Sequence, residues 1–141
     1  MTAECPTLTF NTIGRHQSRL VRTRVASNLS PWLSKTSVGD MHTIAISHGE
    51  GRFVASDDVL AQLKTNGQIA TQYVDEAGMP GMDLDVNPNG SLLAIEGITS
   101  PDGRVFGKMG HSERYSNGTF KNVPGEKDQP LFTAGVEYFT A

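Results

Sequence analysis

Residues 101–114, Pro-Asp-Gly-Arg-Val-Phe-Gly-Lys-Met-Gly-His-Ser-Glu-Arg, constrain the fold of this chain more than any other stretch. Pro101, Asp102 and Gly103 make a tight turn: proline presets φ, aspartate bonds its own backbone, and glycine permits positive φ. The alternation over 104–109 predicts a short strand, with Val105 and Gly107 on one face and Phe106 on the other. Gly110 ends it, and His111-Ser112-Glu113-Arg114 follow at once. Side chains two apart in an extended segment point the same way. His111 and Glu113 are thus expected to share one side, with the carboxylate holding the imidazole. That is the base-and-orienter half of a nucleophilic triad. As a bare spacing, H-x-E equally describes a polar pair on the surface.

The rest of the chain reads as mixed α/β. Residues 7–10 predict a short strand and 11–18 a polar loop. Over 20–26, Val21, Thr23 and Val25 alternate with Arg22 and Arg24, a half-exposed strand. Arg15, Arg19, Arg22 and Arg24 form the basic cluster, read as a solvated strand face or as a docking surface for the rest of a larger enzyme. The stretch 27–40 is turn-rich, with Trp32 as a packing anchor. An apolar run over 41–47 predicts a buried strand delivering His48 to its C-terminal end, where sites lie in open α/β sheets. Ser56 or Asp57 caps a helix over 57–65 that Asn66-Gly67 terminates. A strand over 68–74 follows, and Asn87-Pro88-Asn89-Gly90 predicts a hairpin between 82–86 and 92–98. Residues 115–130 read as a surface loop, and 131–139 as a helix with Phe132, Val136 and Phe139 forming a core stripe.

Several of these words occur together in one known family. The 97–105 stretch running into 109–114, with Ser47-His48-Gly49-Glu50-Gly51-Arg52-Phe53, Gln72-Tyr73-Val74-Asp75, Asn87-Pro88-Asn89-Gly90-Ser91 and the 10–18 segment, resembles the class I glutamine amidotransferase (glutaminase) domain of phosphoribosylformylglycinamidine synthases. The resemblance covers nearly the whole chain and is nearer to the form fused to the synthetase than to the free-standing small subunit. It departs at Gly110 and Ser112, where many members read proline, which predicts a less rigid loop.

The resemblance implies a flavodoxin-like α/β sheet with helices, incomplete because its upstream half is absent. Residues 1–141 would be the C-terminal portion of a single amidotransferase domain in de novo purine biosynthesis. In the implied reaction a cysteine thiolate attacks the side-chain amide of glutamine, with His111 as base and acid and Glu113 as its orienter. The ammonia passes to a synthetase domain that amidates formylglycinamide ribonucleotide. ATP and Mg are expected in that partner domain, and no cofactor or metal in this segment. Ser47, His48 and Gly49 are the candidates for holding the amino-acid end of glutamine, for facing the partner domain, or for making a plain tight turn.

Cys5 fits the nucleophile poorly. A nucleophile elbow follows a strand and uses the N–H of the next residue as an oxyanion donor. Here that residue is Pro6, which has none, and no strand pattern precedes Cys5. Losing one such donor costs about 3 kcal/mol. The expectation is that the nucleophile lies upstream of residue 1 and that the segment alone is inactive.

Two other readings stay open at this stage. One is a degenerate amidotransferase-like module that docks or binds without catalysis. The other is a metal site from His16, His42, His48 and His111, although no two of them have zinc-motif spacing. A net charge of -3 gives no nucleic-acid or lipid surface. No apolar run approaches the roughly 20 residues of a membrane span, no secretory leader is visible, and one cysteine fits a reducing compartment, so the expected location is the cytoplasm.

Overall fold

The computed structural model describes residues 5–141. The reading of 1–6 as a ragged beginning therefore falls largely outside the described residues. The elements are β1 (Thr7–Thr9), β2 (Gln17–Val25), β3 (Met41–His48), β4 (Arg52–Val54), α1 (Asp57–Thr65), β5 (Ile69–Tyr73), β6 (Ile95–Thr99), β7 (Phe106–Lys108) and α2 (Leu131–Thr140). Short 3-10 turns cover Pro31–Leu33, Leu92–Ala94 and Ser112–Arg114. The α/β class is as expected, with strand predominating.

A five-stranded sheet runs β3-β2-β5-β6-β7, and β1 and β4 form a separate two-stranded ribbon. Every strand pairing among the described residues is antiparallel. The rule for the carboxyl ends of parallel strands therefore does not place the site here. Nor do His48 and His111 share one edge. β3 and β7 are the opposite edges of the sheet, yet Ala45 of β3 bridges His111, whose N–H donates to the Ala45 carbonyl at 2.8 Å. The sheet curls until the chain leaving one edge meets the other. The register breaks between Ile69, Thr71 and Gln72 of β5 against β6, and such irregularities sharpen bend and twist.

Local physics explains most of the elements. In β2, Val21, Thr23 and Val25 are buried and the alternate arginines are partly exposed. Ser56 caps α1 by accepting the Val59 N–H, with Asp57 and Asp58 in the first turn. Along β5, Ile69 packs with Phe53, Leu63 and Ile95, while the next residue, Ala70, packs with Val25, Leu33 and Leu131. Alternation along a strand requires that division.

Two expectations are corrected. No hairpin joins 82–86 to 92–98. Residues 83–87 form a helical turn in which Val86 and Asn87 N–H both donate to the Asp83 carbonyl. Asn87 then ties itself to Ser91, donating to its carbonyl at 2.7 Å and accepting its N–H at 3.0 Å. The chain redirects at Leu93 and Ala94, whose φ values are 51 and 53°, and β6 pairs with β5 and β7 instead.

The second correction concerns α2. Phe132, Val136 and Phe139 are 58, 61 and 52 % exposed, and the buried residues of the helix are Leu131, Ala134 and Gly135. Gly135 receives the Trp32 ring, whose Nε1–H donates to the Arg104 carbonyl at 2.8 Å. The larger apolar residues lose the core face because only glycine lets Trp32 lie against the helix.

The arginine cluster keeps an exposed face, with Arg15 and Arg19 exposed, and also finds partners within the chain. Arg19 donates to the Asp85 carbonyl at 2.6 Å, Arg24 to the Gly78 carbonyl at 2.9 Å, and Arg22 pairs with Glu76 at 3.3 Å. These side chains fasten the 75–86 loop of their own chain.

Candidate active site

The site forms where β3 ends and where the chain leaves β7. His111 is the residue before the 3-10 turn Ser112–Arg114, so the segment is not extended as expected. The short turn still brings the two side chains together: His111 Nδ1 lies 2.7 Å from Glu113 Oε1. With Nδ1–H donated to the carboxylate, Nε2 carries the free electron pair. Partial burial opposes ionisation of Glu113, but the hydrogen bonds from its own backbone and from His111, with the charges of His111 and Arg114, outweigh it. Its carboxyl lies below the ordinary range.

His48 meets this imidazole from the other edge. The two Nε2 atoms are 3.1 Å apart and the rings stack with centroids separated by 5.0 Å. Burial, reinforced by the neighbouring His111 and Arg114, pushes the His48 pKa down to about 4. A neutral His48 can donate Nε2–H to the free pair on His111. Its own Nδ1 is buried with no hydrogen-bond partner among the described residues.

The two histidines open onto a cleft of about 460 Å³. Trp32, Phe106, Leu131 and Phe132 supply its apolar wall, and Lys108, Ser112 and Glu113 its polar one. Ser47 and Gly49 are not among its lining residues. The Ser47 hydroxyl meets His16 Nε2 at 3.0 Å, and the Gly49 carbonyl accepts the Asn11 N–H at 3.0 Å. Asn11 is the residue that shapes the 48–51 loop. It is buried, donates to the His48 carbonyl at 2.7 Å and accepts the Gly51 N–H at 2.9 Å.

Glu96, Lys108 and Gln129 lie beneath the loop and were missed by the sequence reading. Glu96 is fully buried in β6, where its carboxylate accepts the Gly110 N–H at 2.6 Å and the Thr71 hydroxyl. Lys108 Nζ stands 3.7 Å from it and donates to Ser112 Oγ at 2.8 Å and Gln129 Oε1 at 2.6 Å. Burial pushes the Lys108 pKa down, opposed by Glu96 and then Glu113. The sequence held one clue, a carboxylate in the middle of the apolar run Ile95-Glu96-Gly97-Ile98.

The metal reading fails on position. His48 and His111 meet, but His16 turns to Ser47, and His42 is buried at a different point of β3, with Asp40, Glu126 and Asp128 near it. Among the described residues no group of three or more His, Cys, Asp or Glu could hold a metal. No helix of the described residues is long and apolar enough to cross a membrane.

Comparison with known proteins gives a consistent set of relatives. The sequence profile of the CobB/CobQ-like glutamine amidotransferase domain matches residues 1–139. The phosphoribosylformylglycinamidine synthase subunit PurQ of Thermomicrobium roseum is 42 % identical over 91 residues, 64 % of this chain and 38 % of that protein. The PurQ subunit of Methanosarcina barkeri is 35 % identical over 133 residues, 94 % of this chain and 55 % of that protein. A chain in the structure of PurLQS from Thermotoga maritima superposes with a TM-score of 0.69 at 29 % identity, covering 96 % of this chain and 53 % of that one. The chain thus spans about half the length of the curated relatives it matches.

Proposed function

The chain belongs to the CobB/CobQ-like glutamine amidotransferase family, with a class I glutamine amidotransferase-like fold, and from that premise we propose that it supplies the base half of a glutaminase site. Residues 1–141 are then the C-terminal portion of one glutaminase domain of a phosphoribosylformylglycinamidine synthase, working with a synthetase partner in purine biosynthesis. The observation that carries this reading is the 2.7 Å contact between His111 Nδ1 and Glu113 Oε1 beside a cleft of about 460 Å³.

In the proposed reaction His111 Nε2 takes the proton of a cysteine thiol. The thiolate sulfur bonds to the side-chain carbonyl carbon of glutamine. The C–N bond breaks as His111 returns the proton to the leaving nitrogen, and ammonia departs. Water, deprotonated by the same Nε2, then cleaves the thioester to glutamate. Glu113 stabilises the imidazolium formed in each half. The thiol comes from outside this chain, since Cys5 is followed by Pro6 and lacks the oxyanion N–H of an elbow. ATP and magnesium belong, in this reading, to the synthetase partner. His48, which shares the cleft with His111, is the best placed of the three substrate-holding candidates.

The two activities separate when ammonia is supplied from outside. In the complete enzyme, His111→Asn is expected to lower glutamine-driven synthesis at least about 100-fold, the lower range for a general base, and to keep ammonia-driven synthesis. Equal loss of both reactions makes His111 structural, and loss of neither removes the reading.

A further inference from the structure

We propose that the buried Glu96–Lys108 pair, acting with Gln129, splints the His111 loop from both sides and thereby sets the line of the imidazole. This rests on the reading of His111 as the base. Three consecutive residues are pinned by four partners. Gly110 N–H is held by Glu96 Oε1 at 2.6 Å, and His111 N–H by the Ala45 carbonyl at 2.8 Å. The Ser112 hydroxyl accepts from Lys108 Nζ at 2.8 Å and donates to Gln129 Oε1 at 2.7 Å. Glu96 and Lys108 are themselves fixed by burial, with side chains 0 and 11 % exposed.

The composition of this layer does not follow from stability. A buried ion pair commonly does no better than well-packed apolar residues of the same volume. What it provides is direction: a carboxylate and an ammonium each accept or donate along defined lines, which an apolar pair cannot do. Gly110 belongs to the same device. A Cβ there would stand 2.8 Å from Glu96 Oε1 and 2.9 Å from Ile44 Cγ2, so glycine is what lets the carboxylate reach the amide. A proline at 110 would have no N–H for Glu96 at all. The Gly-His-Ser loop thus gains from hydrogen bonds beneath it the rigidity that proline rings would give from within. Glu96 and Lys108 are positioning residues, acting through the loop that carries His111.

The test uses the complete enzyme that carries this chain, with glutamine-driven synthesis, ammonia-driven synthesis and the thermal midpoint read on each sample. Ser112→Ala removes one hydroxyl. The double variant Glu96→Gln/Lys108→Met removes both buried charges at once, so that neither is left unpaired. Both are expected to lower kcat with glutamine by about 10- to 100-fold, the scale of a misaligned reacting group, with KM within about twofold and the ammonia reaction unchanged. The double variant is expected to melt with the parent enzyme. Glutamine kcat within about twofold of the parent in either variant that folds overturns the proposal, as does a rise in KM alone. His111→Asn, assayed in parallel, separates the two failures. If it abolishes the glutamine reaction while the splint variants keep it, only the splint is wrong; if it too is without effect, the base assignment falls first.

Discussion

The Nε2 atoms of His48 and His111 face each other at 3.1 Å, although the two residues leave opposite edges of a five-stranded sheet. Their rings lie 13° from parallel. One hydrogen can be shared across such a contact, and the Glu113 carboxylate decides whose it is. It claims the Nδ1 proton of His111, which leaves the His111 Nε2 pair free and the Nε2 proton on His48. His48 thus covers the Nε2 pair of His111.

The state of His48 follows from its surroundings. Burial first, then the neighbouring His111 and Arg114, lowers its pKa from 6.5 to about 4. Its ring proton resonances are expected to stay fixed from pH 8 to pH 5 and to titrate near pH 4. A midpoint near 6.5 would refute the buried, paired geometry. The lowered value also has a stability sign. Between pH 6.5 and about 4 the unfolded chain binds a proton that the folded chain refuses, so stability falls as pH drops through that window and levels off below it. His42, whose pKa is lowered chiefly by burial, acts in the same direction. His48→Gln should flatten the acid slope of the thermal midpoint.

Glu113→Gln keeps an oxygen within reach of His111 Nδ1 and removes the charge. Glutamine-driven synthesis is expected to fall by roughly 10-fold or more, less than for His111→Asn, with the ammonia reaction intact. A surface polar pair without a role would change either reaction by under about 1 kcal/mol in apparent barrier. Steady-state rates with the two nitrogen donors decide between them.

Gly135→Ala tests the seat of α2. Helix propensity favours alanine by about 1 kcal/mol. Here the added Cβ would land in the Trp32 ring, which is held in place by the hydrogen bond from its Nε1–H to the Arg104 carbonyl. The net expectation is a loss of about 1–3 kcal/mol, seen as a lower thermal midpoint. A higher midpoint would mean that Trp32 does not pack as described.

Cys5→Ser in the complete enzyme is expected to leave glutamine-driven turnover within about threefold of the parent, because Pro6 denies that position an oxyanion donor. The same reasoning predicts that the 141-residue chain alone releases no glutamate from glutamine. Abolished turnover in folded Cys5→Ser, or glutamate release by the isolated chain, would return the nucleophile to Cys5.

What the sequence determined by itself is local. The Ser56 cap, the Val21-Thr23-Val25 alternation, the apolar run ending at His48 and the adjacency of His111 and Glu113 depend on neighbours within a few residues, and each appears in the structure. Even there the sequence specified the contact better than the conformation, since an extended segment and a 3-10 turn both bring residues two apart within reach.

The tertiary structure decided everything that required knowing which face is covered and by what. Periodicity marks Phe132, Val136 and Phe139 as a stripe, but Trp32 packs at Gly135, and the residues of α2 that are buried are Leu131, Ala134 and Gly135. Asn-Gly permits a hairpin, but the side-chain bonds of Asn87 to Ser91 hold the chain in a different turn. The arginines of β2 look free for a partner until the 75–86 loop folds over them. Glu96 shows only as an oddity in a strand until Lys108, Gly110 and Thr71 surround it. Above all, the meeting of His48 and His111 depends on the curl of the whole sheet. That curl is the sum of many strand pairings between residues far apart in the chain, and no local period encodes such a sum.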